Sequence, residues 1–224
     1  MGKIVLLLVL AIAAIILFSK WIKKSRQQFL DRYRVPDAVV DRFRLKHPEL
    51  NDEQRIMVQK GLRQYFQICL RARGKFVPMP SQVADDLWHD FILFTRNYRN
   101  FCTKAFGRYL HHTPVEAMSS PSVATSGIRR TWFHACRIEG INPKQPDRLP
   151  LLFALDAQLG IAGGFFYTLN CGNPAASSSN SFCASDIGCG SGSGCAGDAG
   201  GDSGGHGGGD GGSSCGAGCG GGGD

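Results

Sequence analysis

Apolar and polar positions follow three different rhythms along this chain. Residues 4–18, IVLLLVLAIAAIILF, contain no polar side chain, and Trp21 and Ile22 carry the apolar character past Ser19 and Lys20. From residue 36 the apolar positions recur instead at steps of three and four, the spacing that gathers side chains on one face of a helix. This pattern predicts helices over 36–46, 52–73, 81–106, 121–138 and 147–160. Local signals mark their starts: Pro36 with Asp37, a capping box of Asn51 with Gln54, Ser81 as N-cap after Pro80, and Pro146 with Asp147. Period-two strand patterns are essentially missing, so the expected fold is all-α: one N-terminal transmembrane helix, then a compact domain of about five helices.

Three regions follow: a membrane anchor with a basic flank over 1–26, a helical domain over 27–171, and a tail over 172–224. The fifteen apolar residues fall short of the about 20 that a spanning helix usually needs, but flanking lysines can snorkel and Trp21 suits an interface. A cleaved signal peptide would need a short polar stretch and a small-residue cleavage site, whereas Phe18-Ser19-Lys20-Trp21 follows directly, so we read an uncleaved anchor contacting the bilayer through residues 4–22. Only Lys3 precedes the span, against Lys20, Lys23, Lys24 and Arg26 after it. The positive-inside rule then predicts a single-pass protein of a bacterial inner membrane, its N-terminus outside and its domain in the cytoplasm. Leu151 to Leu169 is also apolar, but Asp156 near its middle would cost about 2.5–3.5 kcal/mol on insertion, which favours a soluble core helix.

Composition changes sharply after Gly172. The last 53 residues hold 21 of the 30 glycines, five aspartates and no Lys or Arg, a composition that cannot bury enough apolar surface to order itself. The remaining residues 1–171 carry the basic excess, part of it beside the membrane, where anionic headgroups attract Lys and Arg. No fold motif or Arg-aromatic repeat accompanies that charge, so no nucleic-acid partner is expected. Five of the nine cysteines (183, 189, 195, 215, 219) lie in the tail with Cys171 at its edge, in spacings that match no two-pair zinc module; in the cytoplasm they are expected to be mostly reduced.

Candidate chemistry concentrates in SQVADDLWHDFILFTRNYRNFCTKAFGRYLHHTP, residues 81–114. As one helix, Val83, Leu87, Phe91, Phe94, Tyr98, Phe101 and Ala105 form the core stripe, and Gly107 is its C-terminal stop. Asp85 and His89 fall one turn apart on the opposite side, where a carboxylate can orient an imidazole or share a cation with it. Cys102 lies thirteen residues beyond His89, about 20 Å along an unbroken helix, so those two cannot ligate one ion. His111 or His112, turning back after Gly107, reaches Cys102 more easily than His89, which divides the candidates into Asp85 with His89 and Cys102 with His111 and His112. A kinked or shortened helix would relax this division. His134 and Cys136 diverge on a helix and read as core filling, and Cys102, on the flank of the apolar stripe, reads as a buried small hydrophobe rather than a nucleophile.

Asp85-Asp86-Leu87-Trp88-His89, then Tyr98, Cys102 and Gly107-Arg108-Tyr109-Leu110-His111-His112-Thr113-Pro114, resembles the signature of the glycine-rich domain-containing protein-like family. Leu149 to Asp156 and the Gly-rich tail are similar to its bacterial members. The resemblance implies a helical domain of uncharacterised function; where the plant-type pattern has a second His on the helix, this chain has Phe91. Two functions are open. A membrane-tethered interaction or scaffold module with a protein partner is favoured, because only two ligands come together with ease. The alternative is a metal-dependent, hydrolase-like enzyme in which Asp85, His89 and one of His111 and His112 hold a divalent ion such as zinc.

Overall fold

The computed structural model describes residues 2–112, 121–169, 181–184 and 187. Among these residues seven helices and one two-stranded sheet form: α1 (Gly2–Arg32), α2 (Asp37–Lys46), α3 (Asp52–Arg71), α4 (Gln82–Leu93), α5 (Thr95–Phe106), α6 (Pro121–Glu139), α7 (Leu151–Leu159), β1 (Phe166–Thr168) and β2 (Ser181–Cys183). The fold is helical as expected, with more helices than five.

α1 does two jobs in one uninterrupted helix of 31 residues, about 46 Å long. Its apolar stretch is exposed, with Leu17 at 66 %, and among the described residues α1 is the one helix long and apolar enough to cross a membrane or serve as a signal sequence. Its C-terminal end belongs to the core: Leu30 is fully buried, and Phe29 and Tyr33 pack on Phe101 of α5 with ring centroids 6.0 and 4.5 Å away.

The core is built around Phe66 of α3, whose ring meets Trp88, Phe91, Phe101 and Phe106 at 4.7 to 6.5 Å. α3 opens with the capping box: Asn51 accepts from the Gln54 N–H and the Gln54 side chain accepts from the Asn51 N–H. Gly61 of the same helix lets α7 approach closely, since a Cβ there would stand 2.9 Å from Leu155.

Two helix boundaries differ from expectation. The helix expected over 81–106 is two helices, because Phe94 leaves helical geometry at φ −83°, ψ 62° and ends one while opening the other. Its N–H bonds back to the Phe91 carbonyl at 3.1 Å and its carbonyl accepts from Tyr98 at 2.9 Å. The break folds both halves of the apolar stripe onto one core: Phe91 meets Tyr98 at 5.2 Å and Phe101 at 5.3 Å, while Phe94 at the hinge is only half-buried. The helix expected over 147–160 begins later, at Leu151, after Pro150 has taken the N-cap. Its first N–H groups are satisfied from other helices, Leu151 by the Glu139 carboxylate at 2.7 Å and Leu152 by the Gln64 side-chain carbonyl at 3.0 Å. At nine residues α7 is far too short to span a bilayer.

The tail expected to be disordered lies mostly outside the described residues. Of its described part, β2 pairs in parallel with β1, Tyr167 opposite Phe182, their rings stacked at 5.5 Å, and Ala184 is fully buried. Cys183 is disulfide-bonded, unlike the reduced thiols expected there, whereas Cys69, Cys102 and Cys136 are free and buried.

Candidate functional site

α4 is held at its N-terminus by a carboxylate from a distant part of the chain. Ser81 is the N-cap and accepts from the Ala84 N–H at 3.3 Å, while its hydroxyl donates to Asp156 at 2.7 Å. Asp156, buried in α7, also accepts from the N–H groups of Gln82 (2.7 Å), Val83 (3.3 Å) and Phe165 (2.9 Å). An anion suits this place, because the first N–H groups of a helix have no partner within it. Gly164 makes room for it, since a Cβ there would stand 2.7 Å from the Asp156 Cβ.

One turn into α4, Asp85 and His89 stand on the same side, Oδ2 to Nε2 at 3.6 Å. The third member arrives from beyond α5. Gly107 ends that helix in the left-handed region at φ 71°, and the chain turns back toward α4. The returning segment is fastened at Leu110, whose carbonyl accepts from the Tyr98 hydroxyl at 2.6 Å. Tyr98 accepts in turn from the Trp88 indole N–H at 3.1 Å. Two residues later His112 reaches Asp85, Nε2 to Oδ1 at 3.0 Å, its ring edge-on to Trp88 (4.6 Å) and tilted against His89 (4.3 Å).

The ligand-capable atoms of Asp85, His89 and His112 thus lie within 4.8 Å of one another. This corrects the expected division of the candidates: the break at Phe94 shortens the path, and His112 joins Asp85 and His89 rather than Cys102. Cys102 is fully buried, and burial, the leading influence, raises its thiol pKa while the Leu110 backbone and Tyr98 pull the other way; it is part of the core. His111 is exposed, its ring against Tyr109 at 4.8 Å. His134 sits on α6, outside this group, and burial with neighbouring Arg71, Arg130 and Arg137 lowers its pKa.

The three residues line a cavity of about 460 Å³ whose wall also holds Lys75, Arg108 and His111. Tyr65 and Cys69 form part of its base; burial raises the Cys69 thiol to about 12, so it is no nucleophile. Sequence reasoning missed both Asp156 and Tyr98 as positioning residues. The Asp156 signal was present, a lone carboxylate in an apolar run, but it read only as an obstacle to membrane insertion.

Two imidazoles and one carboxylate are a donor set that zinc and other first-row divalent ions accept. At ligand distances of about 2.0–2.2 Å a tetrahedral ion spaces its ligand atoms about 3.4 Å apart. The 3.0 Å contact runs from His112 to Oδ1 of Asp85 and the 3.6 Å contact from His89 to Oδ2, so side-chain rotation is needed to bring all three ligands, now within 4.8 Å of one another, onto one ion. His47 marks the contrast on the other side of α4, Nδ1 to Glu49 at 2.9 Å and Nε2 to Asp86 at 3.2 Å, a pairing that ties α2 to α4.

No curated protein and no solved structure matches the chain. A family model matches residues 25–187, from the end of the apolar stretch through β2, and carries neither a glycine-rich name nor a bacterial origin with it. Over nearly three quarters of its length, therefore, the chain belongs to the UCP032817-like family, which has no established activity.

Proposed function

We propose that this chain is a membrane-anchored, metal-dependent domain in which Asp85, His89 and His112 hold a divalent ion of the zinc class. The observation that carries the reading is the return of His112 to Asp85 at 3.0 Å, which supplies a third ligand to a pair that alone would be incomplete. Such an ion would activate water, and the Lys75 and Arg108 side chains on the same cavity wall would orient an anionic substrate, a hydrolase-like arrangement. An interaction module, the simpler expectation, accounts for the anchor but not for three ligand atoms converging on a cavity. The lysine asymmetry about residues 4–18 supports a domain at the inner face of the membrane, a side against which the disulfide at Cys183 weighs.

Metal analysis of the detergent-purified full chain tests the reading. Wild type is expected to hold about one ion per chain, lost in His89→Ala and in His112→Ala and kept in His111→Ala. A metal-free wild type after zinc and manganese supplementation, or a content indifferent to His112, would return the protein to the interaction-module reading.

A further inference from the structure

A second cavity, of about 420 Å³, lies where α1 meets the end of α3 and the turn after α5. Five cations line it, Lys23, Arg26, Arg71, Arg73 and Arg108, and no carboxylate does. None of the five makes an ion pair among the described residues. Five like charges around one concavity raise the free energy of the empty site and attract an anion. Two details show that the chain is shaped around this cluster. Gly107, in the left-handed region, leaves space filled by the Arg26 guanidinium, with which a Cβ would collide. Arg73 takes φ 51°, a backbone conformation that residues with a Cβ rarely adopt, and among the described residues no other non-glycine has a positive φ.

Position says which anion. Ile22 is the last apolar residue of the N-terminal stretch, and Lys23 follows it directly. Arg26 stands four residues on, about 6 Å along α1 at helical rise. A headgroup layer is about 5–7 Å deep on each side of the hydrocarbon core. We propose that this cavity binds the phosphate of an anionic phospholipid headgroup, seating the domain on the bilayer at a fixed height and orientation. The proposal rests on the reading of α1 as a membrane span. A free phosphate shares the chemistry, but the bilayer presents phosphodiesters at this depth without any search through solution. Arg108 lines both cavities, so a seated headgroup stands beside the wall of the candidate metal centre.

The test uses the full chain in neutral detergent, with its unfolding midpoint followed as short-chain phosphatidylglycerol, phosphatidylcholine or inorganic phosphate is added. Phosphatidylglycerol is expected to raise the midpoint saturably and the other two to leave it unchanged. Arg71→Gln with Arg73→Gln, both exposed and replaceable without unfolding, should weaken the phosphatidylglycerol response about 30-fold. Arg96→Gln with Arg99→Gln removes the same charge in the first half of α5, about 15 and about 10 Å from Phe106, and should change it less than about twofold. Equal weakening in both double variants would mean a diffuse basic surface and overturn the proposal. A phosphate response equal to that of phosphatidylglycerol would make this a soluble-anion site and overturn the lipid assignment. Failure of the chain to float with pure phosphatidylcholine vesicles would overturn it at its premise. Zinc-induced stabilisation, measured in the same detergent without phosphatidylglycerol, reports the metal centre separately from all three.

Discussion

Two of the three carboxylates on α4, five residues apart, meet very different surroundings. Asp90 faces α2 and is fully buried, its Oδ1 held by Arg42 Nε at 2.9 Å and Lys46 Nζ at 2.7 Å. Asp85 faces the cavity, and among the described residues its two oxygens meet the imidazoles of His112 and His89, at 3.0 and 3.6 Å. Asp90 therefore has resident countercharges that tie two helices together. Asp85 has neighbours whose nitrogen lone pairs would support a cation rather than supply one. A buried carboxylate with its own Arg and Lys is a structural joint. One shared between histidines at a cavity edge has no lysine or arginine countercharge among the described residues. Asp156 extends the structural side of the contrast, since all its partners are hydrogen-bond donors at the start of α4 and at Phe165.

The largest effect should come from that structural side. Asp156→Ala strands the Ser81 hydroxyl and three backbone N–H groups, and each orphaned buried group costs about 1–3 kcal/mol before water or relaxation recovers part of it. We expect a net loss of about 3–5 kcal/mol by denaturant unfolding, the same with chelator or with zinc. A loss under about 1 kcal/mol would show that Ser81 alone secures α4.

A direct trial of the contrast compares Asp90→Asn with Asp85→Asn. Since Arg42 and Lys46 are about half exposed, at 50 % and 44 %, screening reduces the cost of weakening their pairing. Asp90→Asn should lose about 1–2 kcal/mol whether or not zinc is present. Asp85→Asn keeps an oxygen for His112 and should lose under about 0.5 kcal/mol in chelator. In zinc at a hundred times its dissociation constant, however, it should forfeit the about 2.7 kcal/mol that the wild type gains. An Asp85→Asn protein that still gains stability from zinc would erase the distinction between the two carboxylates.

How far these roles can be read from sequence depends on how local their causes are. The Asn51 and Gln54 box, the Ser81 cap, the Gly107 stop and the stripe through Val83, Leu87, Tyr98 and Phe101 involve neighbours within a few residues, and all take the expected place. The break at Phe94 is not legible, because the three-and-four rhythm runs through it unchanged; only the advantage of burying both halves on one core selects it. The candidate site was half legible for the same reason. Asp85 and His89 meet by helical geometry alone, whereas His112 is delivered by a side chain bonding a backbone carbonyl twelve residues away. Asp156 acts across about 75 residues, where no local pattern could mark it.

Tyr98 lies between the two classes, a structural residue whose product is the site. Tyr98→Phe keeps the ring and its burial but removes the bond to Leu110 and the acceptor for the Trp88 N–H. The expected cost is about 1 kcal/mol in chelator, since buried partners are left with nothing in exchange. Zinc affinity should also fall about tenfold although all three ligands remain, because the segment carrying His112 is no longer fastened. Isothermal titration with zinc separates this from simple destabilisation: at a temperature where the variant is fully folded, an unchanged affinity would show that His112 needs no such support.

The smallest effect concerns the buried thiols, which belong wholly to the structural class. Burial raises both Cys69 and Cys136 from an ordinary value near 9 to about 12. Below pH 9 the folded and unfolded chains both keep these protons. Between 9 and 12 the unfolded chain gives its protons up and the folded chain does not, so their stabilisation is lost as pH rises. From pH 7 to pH 9, only the onset of that window, the two thiols together should remove about 0.8 kcal/mol. Staying at or below pH 9 keeps the tyrosines, whose ordinary value is 10, largely out of the measurement. Replacing Cys69 and Cys136 together by alanine should flatten the pH dependence across this range while lowering stability at every pH. If the slope survives in that variant, these two thiols are not its source, and Cys102, whose thiol burial also raises, is the next residue to replace.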